Sequence, residues 1–219
     1  MRYQAVLFDM DGTVLDTLGD LANACNHTLR AFGLPERTRT EIAHFLGNGA
    51  AWLISHAVPA GTDEARVKEI LRVYQPWYDA HCDIETAPYP GIVDLMQALK
   101  AAEVRQAVIS NKQDSAVQLL AARYFPGLLD YAVGESATVR RKPNPDAVLA
   151  ALAYMGLKKE DAVYVGDTEV DIQTAKNAGL PCAVVGWGFR TEEELRAAGA
   201  GHIFKNAGEL QAWLLETKE

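Results

Sequence analysis

A pair of aspartates, Asp9 and Asp11, follows the apolar run Ala5-Val6-Leu7-Phe8 at a spacing that can bind a cation. The apolar run predicts a buried strand, and side chains two residues apart on extended backbone point to the same side. Both carboxylates therefore face one position beyond the strand, where Gly12 allows the backbone to turn. Because like charges this close repel each other, a cation lies between them or one of them holds a proton. A solvated turn with two acids in it is the alternative.

Two later segments carry groups that can bind phosphate. Ser110 and Asn111 follow the predicted strand 106–109, and a hydroxyl with backbone N–H groups at a helix N-terminus can bind phosphate. Lys142 precedes Pro143, which restricts Lys142 to extended backbone and so fixes the position of its ammonium group. An ordinary helix N-cap accounts equally well for Ser110 and Asn111, and a solvated basic loop accounts for Lys142.

A second acidic segment, Gly166 to Asp171, follows the predicted strand 162–165. Acids in the first turn of a helix offset the positive end of the helix dipole, and this accounts for Glu169 and Asp171. Asp167 stands before the helix, directly after a strand and a glycine, so the helix dipole does not account for it. Asp167 is therefore a candidate functional residue.

Alternating strands and helices must position these four segments. Beyond residue 86, predicted helices alternate with predicted strands at 106–109, 131–133, 162–165, 182–185 and 202–204. The alternation predicts a Rossmann-like α/β fold, a parallel sheet with helices on both faces. In such sheets, ligands bind at the carboxyl ends of the strands, where all four segments lie.

The stretch between the first two strands is helical throughout. Apolar residues recur at helical spacing between Leu18 and Phe32, and further helices are predicted at 38–46, 50–57 and 63–78. We therefore predict two domains. Residues 1–15 and 86–219 form the α/β catalytic core, and residues 16–85 form an inserted helical domain.

Composition and charge narrow the classes of partner. The 219 residues are 49% hydrophobic and 23% charged, which is enough apolar content for a packed core. The net charge of −8 argues against a nucleic-acid or anionic-membrane surface. Three cysteines without a CxxC pair predict neither a disulfide framework nor a zinc site. Asp9 interrupts the N-terminal apolar run and no stretch approaches the ~20 residues of a membrane span, so a cytoplasmic protein is expected.

The four segments, in this order and each after a strand, resemble the four motifs of the haloacid dehalogenase-like superfamily, most of whose members are phosphoryl-transfer enzymes. Residues 8–16 resemble the first motif, and Ser110-Asn111 the second. Lys142 before Pro-Asn-Pro resembles the third, and Gly166-Asp167 with Asp171 the fourth. The inserted helical domain is similar to the C1-type cap of that superfamily, which implies a small substrate.

The resemblance implies a role for each motif residue. Asp9 would attack phosphorus and form an aspartyl-phosphate, while Asp11 would protonate the leaving oxygen and later activate water. Mg²⁺ would be held by Asp9, by the Asp11 backbone carbonyl and by Asp167, with Asp171 as a further ligand or as the residue that orients Lys142. The phosphoryl group would be bound by Gly12, Thr13, Ser110, Asn111 and Lys142. By this resemblance, haloacid dehalogenases themselves lack an acid at the position of Asp11, because their ester leaving group needs no proton there. The presence of Asp11 therefore disfavours a dehalogenase.

The loop Gly47-Asn48-Gly49 between two cap helices resembles the substrate-facing cap loop of phosphoglycolate phosphatases. A helix C-cap and turn is the alternative. Asp20 stands where β-phosphoglucomutases usually carry a histidine, which counts against a mutase, and the first cap helix lacks the lysine of phosphonatases.

The sequence thus predicts a Mg²⁺-dependent phosphatase that hydrolyses a small phosphorylated metabolite and is similar to phosphoglycolate phosphatases. Pyrophosphate, a nucleoside monophosphate or a sugar phosphate remain alternative substrates. A phosphate-sensing or protein-binding module on the same scaffold is the non-enzymatic alternative, and both a monomer and a homodimer remain open.

Overall fold

The computed structural model describes residues 2–216 and contains a six-stranded sheet in which every adjacent pair is parallel. In chain order the six strands of this sheet are β1 (Ala5–Phe8), β4 (Arg105–Gln113), β5 (Tyr131–Glu135), β6 (Ala162–Gly166), β7 (Cys182–Val185) and β8 (Ile203–Phe204). Their spatial order is β5-β4-β1-β6-β7-β8. The predicted α/β fold with a parallel sheet is confirmed.

Strand β1 lies inside the sheet between β4 and β6, and its four residues are completely buried. Phe8 is in register with Val108 of β4 and with Val165 of β6. The segments that follow these three strands therefore emerge next to one another at one edge of the sheet. This register is what brings residues distant in sequence to one site.

Helices on both faces cover the sheet, and a helical block precedes β4. The block consists of α1 (Leu18–Ala31), α2 (Arg39–Phe45), α3 (Ala50–Ala57) and α4 (Glu64–His81). The helices that alternate with the strands are α5 (Ile92–Ala101), α6 (Asp114–Tyr124), α7 (Asp146–Met155), α8 (Glu169–Ala178), α9 (Glu192–Ala197) and α10 (Ala207–Leu215). Within residues 2–216, none of the helices combines the length and apolarity that a bilayer crossing requires.

The four-helix block, which we call the cap, contributes buried apolar residues to the same cluster as one face of the sheet. Ile42, Leu53, Ile54 and Ile70 are 0–1% exposed and come from three of its helices. The Thr38 side chain and Glu41 form a capping box that fixes the start of α2. The domain boundaries of the sequence analysis stay a prediction.

Two short strands join the cap to the sheet. Leu15–Asp16 (β2) and Ala87–Pro88 (β3) pair antiparallel, at positions where the sequence analysis predicted no strand. The buried Asp20 carboxylate lies beside this ribbon and accepts hydrogen bonds from the backbone N–H groups of Ile84, Glu85 and Thr86. These hydrogen bonds join the start of the cap, at Asp20, to its end at residues 84–86. Two-residue strands carry no detectable alternation, so the sequence pattern could not reveal them.

Strand β4 is longer than predicted and continues to Gln113, with a shift of register between Ile109 and Gln113. Ser110 and Asn111 consequently lie on extended backbone, and α6 begins only at Asp114. The N-cap alternative for Ser110 and Asn111 is therefore wrong. Helix α7 begins at Asp146, directly after Pro145.

Candidate active site

Asp9 is the first residue after β1 and is 4% exposed. Its Oδ1 accepts hydrogen bonds from the Met10 backbone N–H at 2.6 Å and from Lys142 Nζ at 2.8 Å. Its Oδ2 accepts none from residues 2–216, and Asp9 lines a cavity between the sheet and the cap. Burial raises the pKa of Asp9 well above its usual range, and the charge of Asp171 adds to this, against the lowering effect of Lys142. A cation that replaced the lost solvation would return this carboxylate to its charged form.

Lys142 is held between two carboxylates. Its Nζ lies 2.8 Å from Asp9 Oδ1, 2.8 Å from Asp171 Oδ1 and 3.1 Å from the Tyr164 hydroxyl. Burial alone would lower the pKa of Lys142, but the charges of Asp171 and Asp9 outweigh it and raise that pKa well above its usual range. The ammonium group therefore stays charged beside Asp9.

Asp171 uses both carboxylate oxygens within the protein. Its Oδ1 accepts from Lys142 Nζ, and its Oδ2 accepts from the backbone N–H and the hydroxyl of Thr168. The position of Asp171 matches the predicted alternative in which it orients Lys142. Its role as a direct metal ligand remains a prediction.

Asp167 is fully buried and is fixed from two sides. Thr13 Oγ1 donates to its Oδ1 at 2.8 Å, and the backbone N–H of Phe189 donates to its Oδ2 at 2.8 Å. A Cβ at Gly12 or at Gly188 would collide with this carboxylate. Burial, then the charge of Asp171, raises the pKa of Asp167 to about 7. The side chain of Thr13, predicted to contact phosphate, thus faces Asp167.

The donor set fits a magnesium ion. Asp9, Asp167 and Asp171 each offer a carboxylate oxygen, and these atoms lie within 4.8 Å of one another in a buried position. When ionised, the three carry three negative charges against the single positive charge of Lys142, which leaves two uncompensated. A divalent cation neutralises this excess, and oxygen is the ligand that Mg²⁺ prefers. The Asp11 carboxylate is outside this cluster and contacts Lys112 and Thr17 instead, so the expected cation between the Asp9 and Asp11 carboxylates does not fit this arrangement. The metal contact of Asp11 through its backbone carbonyl stays a prediction.

Ser110 and Asn111 lie where β4 approaches the end of β1, but they do different things. The Ser110 hydroxyl lines the cavity and accepts from the Lys112 backbone N–H at 3.2 Å. The Asn111 side chain bonds both backbone groups of Lys142 and donates to the Gly47 carbonyl oxygen at 2.9 Å. Asn111 therefore joins the Lys142 loop to the cap loop with its amide, and its predicted phosphate contact is untested.

Lys112 is a site residue to which the sequence analysis assigned no role. Its side chain is 3% exposed, and its Nζ lies 3.0 Å from Asp11 Oδ1. The same ammonium group donates to the Tyr78 hydroxyl and stands 4.5 Å from the centre of the Tyr78 ring. Asp11 Oδ1 also accepts from Thr17 Oγ1 at 2.7 Å. A lysine directly after a predicted strand and a Ser-Asn pair was the available signal.

The cap loop lies over the cavity and is bonded to the core. Gly47 and Gly49 line the cavity with φ values of 107° and 82°, which favour glycine. Asn48 instead lines a groove on the outer side, and its carbonyl oxygen accepts from Arg141 at 3.2 Å. Gly47 and Gly49 thus line the cavity, whereas Asn48 does not, and the predicted substrate contacts of all three residues stay predictions.

Arg190 connects the core to the cap and was also missed. It is 8% exposed and forms a two-fold ion pair with Glu169 of α8. Its Nη1 donates to the Ala43 carbonyl oxygen at 2.9 Å, and its Nη2 donates to that of Leu46 at 2.8 Å. A lone arginine after a strand carries no motif, so sequence reasoning had no signal for it.

The cavity between cap and sheet is partly open to solvent, and about 510 Å³ of space in it, including the open part, is free of protein atoms. Asp9, Asp11, Ser110 and Lys112 form its polar floor, and its apolar walls come from the cap residues Leu46, Leu53, Tyr74 and Tyr78 with Leu21. A floor of fixed charges under an apolar roof suits a small polar ligand that is largely shielded from water.

Known proteins are similar to this chain in sequence and in fold. The model of the haloacid dehalogenase-like hydrolase family matches residues 6–185. Phosphoglycolate phosphatase 1 of Pseudomonas aeruginosa is 33% identical over 195 residues, 84% of this chain and 70% of that protein. The phosphoglycolate phosphatase of Aquifex aeolicus is 33% identical over 187 residues, 85% and 86% of the two chains. A crystal structure from Lactobacillus delbrueckii subsp. bulgaricus, provisionally assigned as a phosphoglycolate phosphatase, has a TM-score of 0.94 at 36% identity and covers 99% of this chain and 100% of its own.

Proposed function

The chain belongs to the haloacid dehalogenase-like hydrolase family and is a phosphoric monoester hydrolase; from this we propose that it hydrolyses a small phosphorylated metabolite, with 2-phosphoglycolate as the preferred substrate, through a phosphorylated Asp9. The position of Asp9 carries the proposal. One of its oxygens is bonded to Lys142, while the other has no hydrogen-bond partner in the described chain, and the residue lines the cavity. A nucleophile needs such a free oxygen on the substrate side.

The first step forms the Asp9 Oδ2–phosphorus bond and breaks the bond between phosphorus and the leaving oxygen. Asp11 donates its proton to that oxygen, which therefore leaves as a hydroxyl group rather than as an alkoxide. Thr17 and Lys112 both hold Asp11 Oδ1, which leaves Oδ2 for proton transfer. In the second step a water molecule gives its proton to Asp11 and attacks phosphorus, which releases inorganic phosphate and regenerates Asp9.

Lys142 and the acidic cluster stabilise charge during both steps. The Lys142 ammonium lies beside Asp9, where it can bind a phosphoryl oxygen while remaining fixed by Asp171. Asp9, Asp167 and the Asp11 backbone carbonyl would hold Mg²⁺, with Asp171 close by. The ion, when bound, supplies positive charge against the oxygens of the transferring group.

The substrate class rests on the position of the cap over the cavity and on the names of the relatives. The cap loop and Tyr78 cover a floor that a polymer could not reach without movement of the cap. Phosphate release with Mg²⁺ should be measured for 2-phosphoglycolate, pyrophosphate, glucose 1-phosphate and a nucleoside monophosphate, with Asp9→Asn as the blank. We expect the highest kcat/KM for 2-phosphoglycolate. Equally weak turnover of all four would refute the proposed preference for 2-phosphoglycolate. No turnover above the blank would refute the proposed phosphatase activity.

A further inference from the structure

Three basic side chains of the described chain are buried, and Lys112 is the one that contacts the fewest polar groups. Lys142 contacts two carboxylates, and Arg190 contacts Glu169 and two carbonyl oxygens. Lys112 contacts one carboxylate, that of Asp11, and the Tyr78 hydroxyl. An ammonium group has three N–H donors, so one donor of Lys112 has no partner among residues 2–216. Lys112 lines the cavity, and a ligand there can accept from it.

The two lysines mark opposite sides of the bond that breaks. Lys142 contacts the proposed nucleophile Asp9, on the phosphoryl side. Lys112 lies 3.0 Å from the oxygen of Asp11, the proposed proton donor to the leaving group. A chemical group attached to the leaving oxygen therefore lies nearer to Lys112 than to Lys142.

The one counter-charge of Lys112 is shared within the site. Asp11 Oδ1 is the one carboxylate oxygen that Lys112 contacts in the described chain, and Thr17 Oγ1 donates to the same atom. The neighbouring cavity walls from Leu21, Leu53 and Tyr74 carry no charge. An anionic group on the substrate would add a second charged partner for this buried ammonium group.

We propose that Lys112, held by Tyr78 of the cap, binds a second anionic group on the leaving-group side of the substrate; this inference rests on the proposed phosphatase function. The shared chemistry is an anionic oxygen group close to the ester oxygen, either a carboxylate or a second phosphoryl group. A substrate with a neutral leaving group leaves Lys112 unpaired, and the enzyme discriminates against it.

The test compares three substrates that differ in this group: 2-phosphoglycolate, pyrophosphate and ethyl phosphate. The readout is the ratio of kcat/KM for each of the first two to kcat/KM for ethyl phosphate. Lys112→Met should lower that ratio roughly 10- to 100-fold, the range for a lost hydrogen bond to a charged group, mainly through KM. The substrate whose ratio falls more identifies the carboxylate or the second phosphoryl group as the ligand. Lys112→Arg keeps the charge and should keep most of the ratio.

The controls separate this inference from the phosphatase function. Phosphate release from ethyl phosphate by the wild-type protein tests the phosphatase function alone. If Lys112→Met lowers turnover of all three substrates equally, Lys112 only supports Asp11, and the inference is overturned while the phosphatase stands. If the wild-type protein hydrolyses none of the three substrates, both the role of Lys112 and the phosphatase function are overturned. Should Lys112→Met fail to fold by circular dichroism, Tyr78→Phe replaces it, and an unchanged ratio in that variant overturns the inference.

Discussion

Arg190→Met removes the side chain that bonds the core to the end of α2, and we expect it to weaken closure of the cap. The guanidinium donates to the Ala43 and Leu46 carbonyl oxygens at 2.9 and 2.8 Å. These bonds can exist only while the cap lies against the core. Leu46 directly precedes the cap loop, so Arg190 also fixes where Gly47 stands over the cavity.

The expected magnitude follows from these two bonds. A hydrogen bond from a charged donor contributes about 1.5–3 kcal/mol, and a cation at a helix C-terminus about 0.3–1 kcal/mol. Burial of the guanidinium offsets part of this sum, so a net loss of about 3 kcal/mol is reasonable. That corresponds to a roughly 100-fold shift of the cap from the closed to the open arrangement.

Two assays report this shift. The kcat/KM for the preferred substrate should fall by up to roughly 100-fold, because closure completes the site, and amide hydrogen exchange in residues 39–49 should become faster. Glu169→Gln is the matched control: it removes the ion pair, in which Glu169 is 47% exposed, but keeps both bonds to the cap. A partly exposed pair contributes about 0–1 kcal/mol, so that variant should stay close to wild type. Equal losses in both variants, or unchanged exchange in Arg190→Met, would refute the reasoning.

Three further predictions concern the cap connection, the cap loop and the metal site. Asp20→Ala leaves the N–H groups of Ile84, Glu85 and Thr86 without their acceptor, of which the Thr86 group is buried and the other two partly buried. The substitution should lower the free energy of unfolding by roughly 2–5 kcal/mol in urea titrations. The exposed helix cap variant Asp63→Ala is the reference at about 1 kcal/mol, and a loss for Asp20→Ala below about 1 kcal/mol would contradict the prediction. Gly47→Ala strains a residue at φ 107° and should reduce kcat/KM. The control Gly33→Ala, at φ 66° with open space around it, should lower stability by a similar amount and leave kcat/KM unchanged. Equal kcat/KM in the two variants would mean that the cap loop is only a turn. Because the pKa of Asp167 is raised to about 7, this carboxyl holds a proton in the folded metal-free protein but not in the unfolded chain between about pH 4 and 7. Its contribution to stability is therefore lost as the pH rises through about 7. Mg²⁺ displaces that proton, so the rise in Tm that Mg²⁺ causes should grow between about pH 6 and 8; a pH-independent rise in Tm, or an equal one in Asp167→Asn, would show that this carboxyl is no ligand.

The sequence was most informative where chemistry and periodicity coincide. The strand Ala5–Phe8 followed by Asp9, and the alternation of strands and helices beyond Ile92, were sufficient to predict the parallel sheet and the edge at which the motif segments meet. Lys142 could be identified as a candidate because Pro143 restricts its backbone to extended conformations. These features are local, and local patterns survive in a single sequence.

What escaped prediction depends on contacts between distant segments. Arg190 and Ala43 are 147 positions apart, and nothing in either neighbourhood signals the other. Thr13 faces Asp167, and the Asn111 amide faces backbone, because tertiary packing chooses among the partners that a polar side chain could take. Lys112 was visible in the motif segment, but its burial against Tyr78 required the cap to be placed over the sheet.

Covalent trapping of the phosphoryl group on Asp9 tests the central claim most directly. Asp11→Asn should be mixed with Mg²⁺ and para-nitrophenyl phosphate, whose leaving group needs no proton, quenched in acid and digested for mass spectrometry. Because the amide that replaces the Asp11 carboxylate cannot activate water, the account predicts a burst of one nitrophenolate per protein and one phosphoryl group on the peptide that contains Asp9. An unmodified peptide under these conditions, with an active wild-type enzyme, would show that water attacks phosphorus directly and would contradict the account.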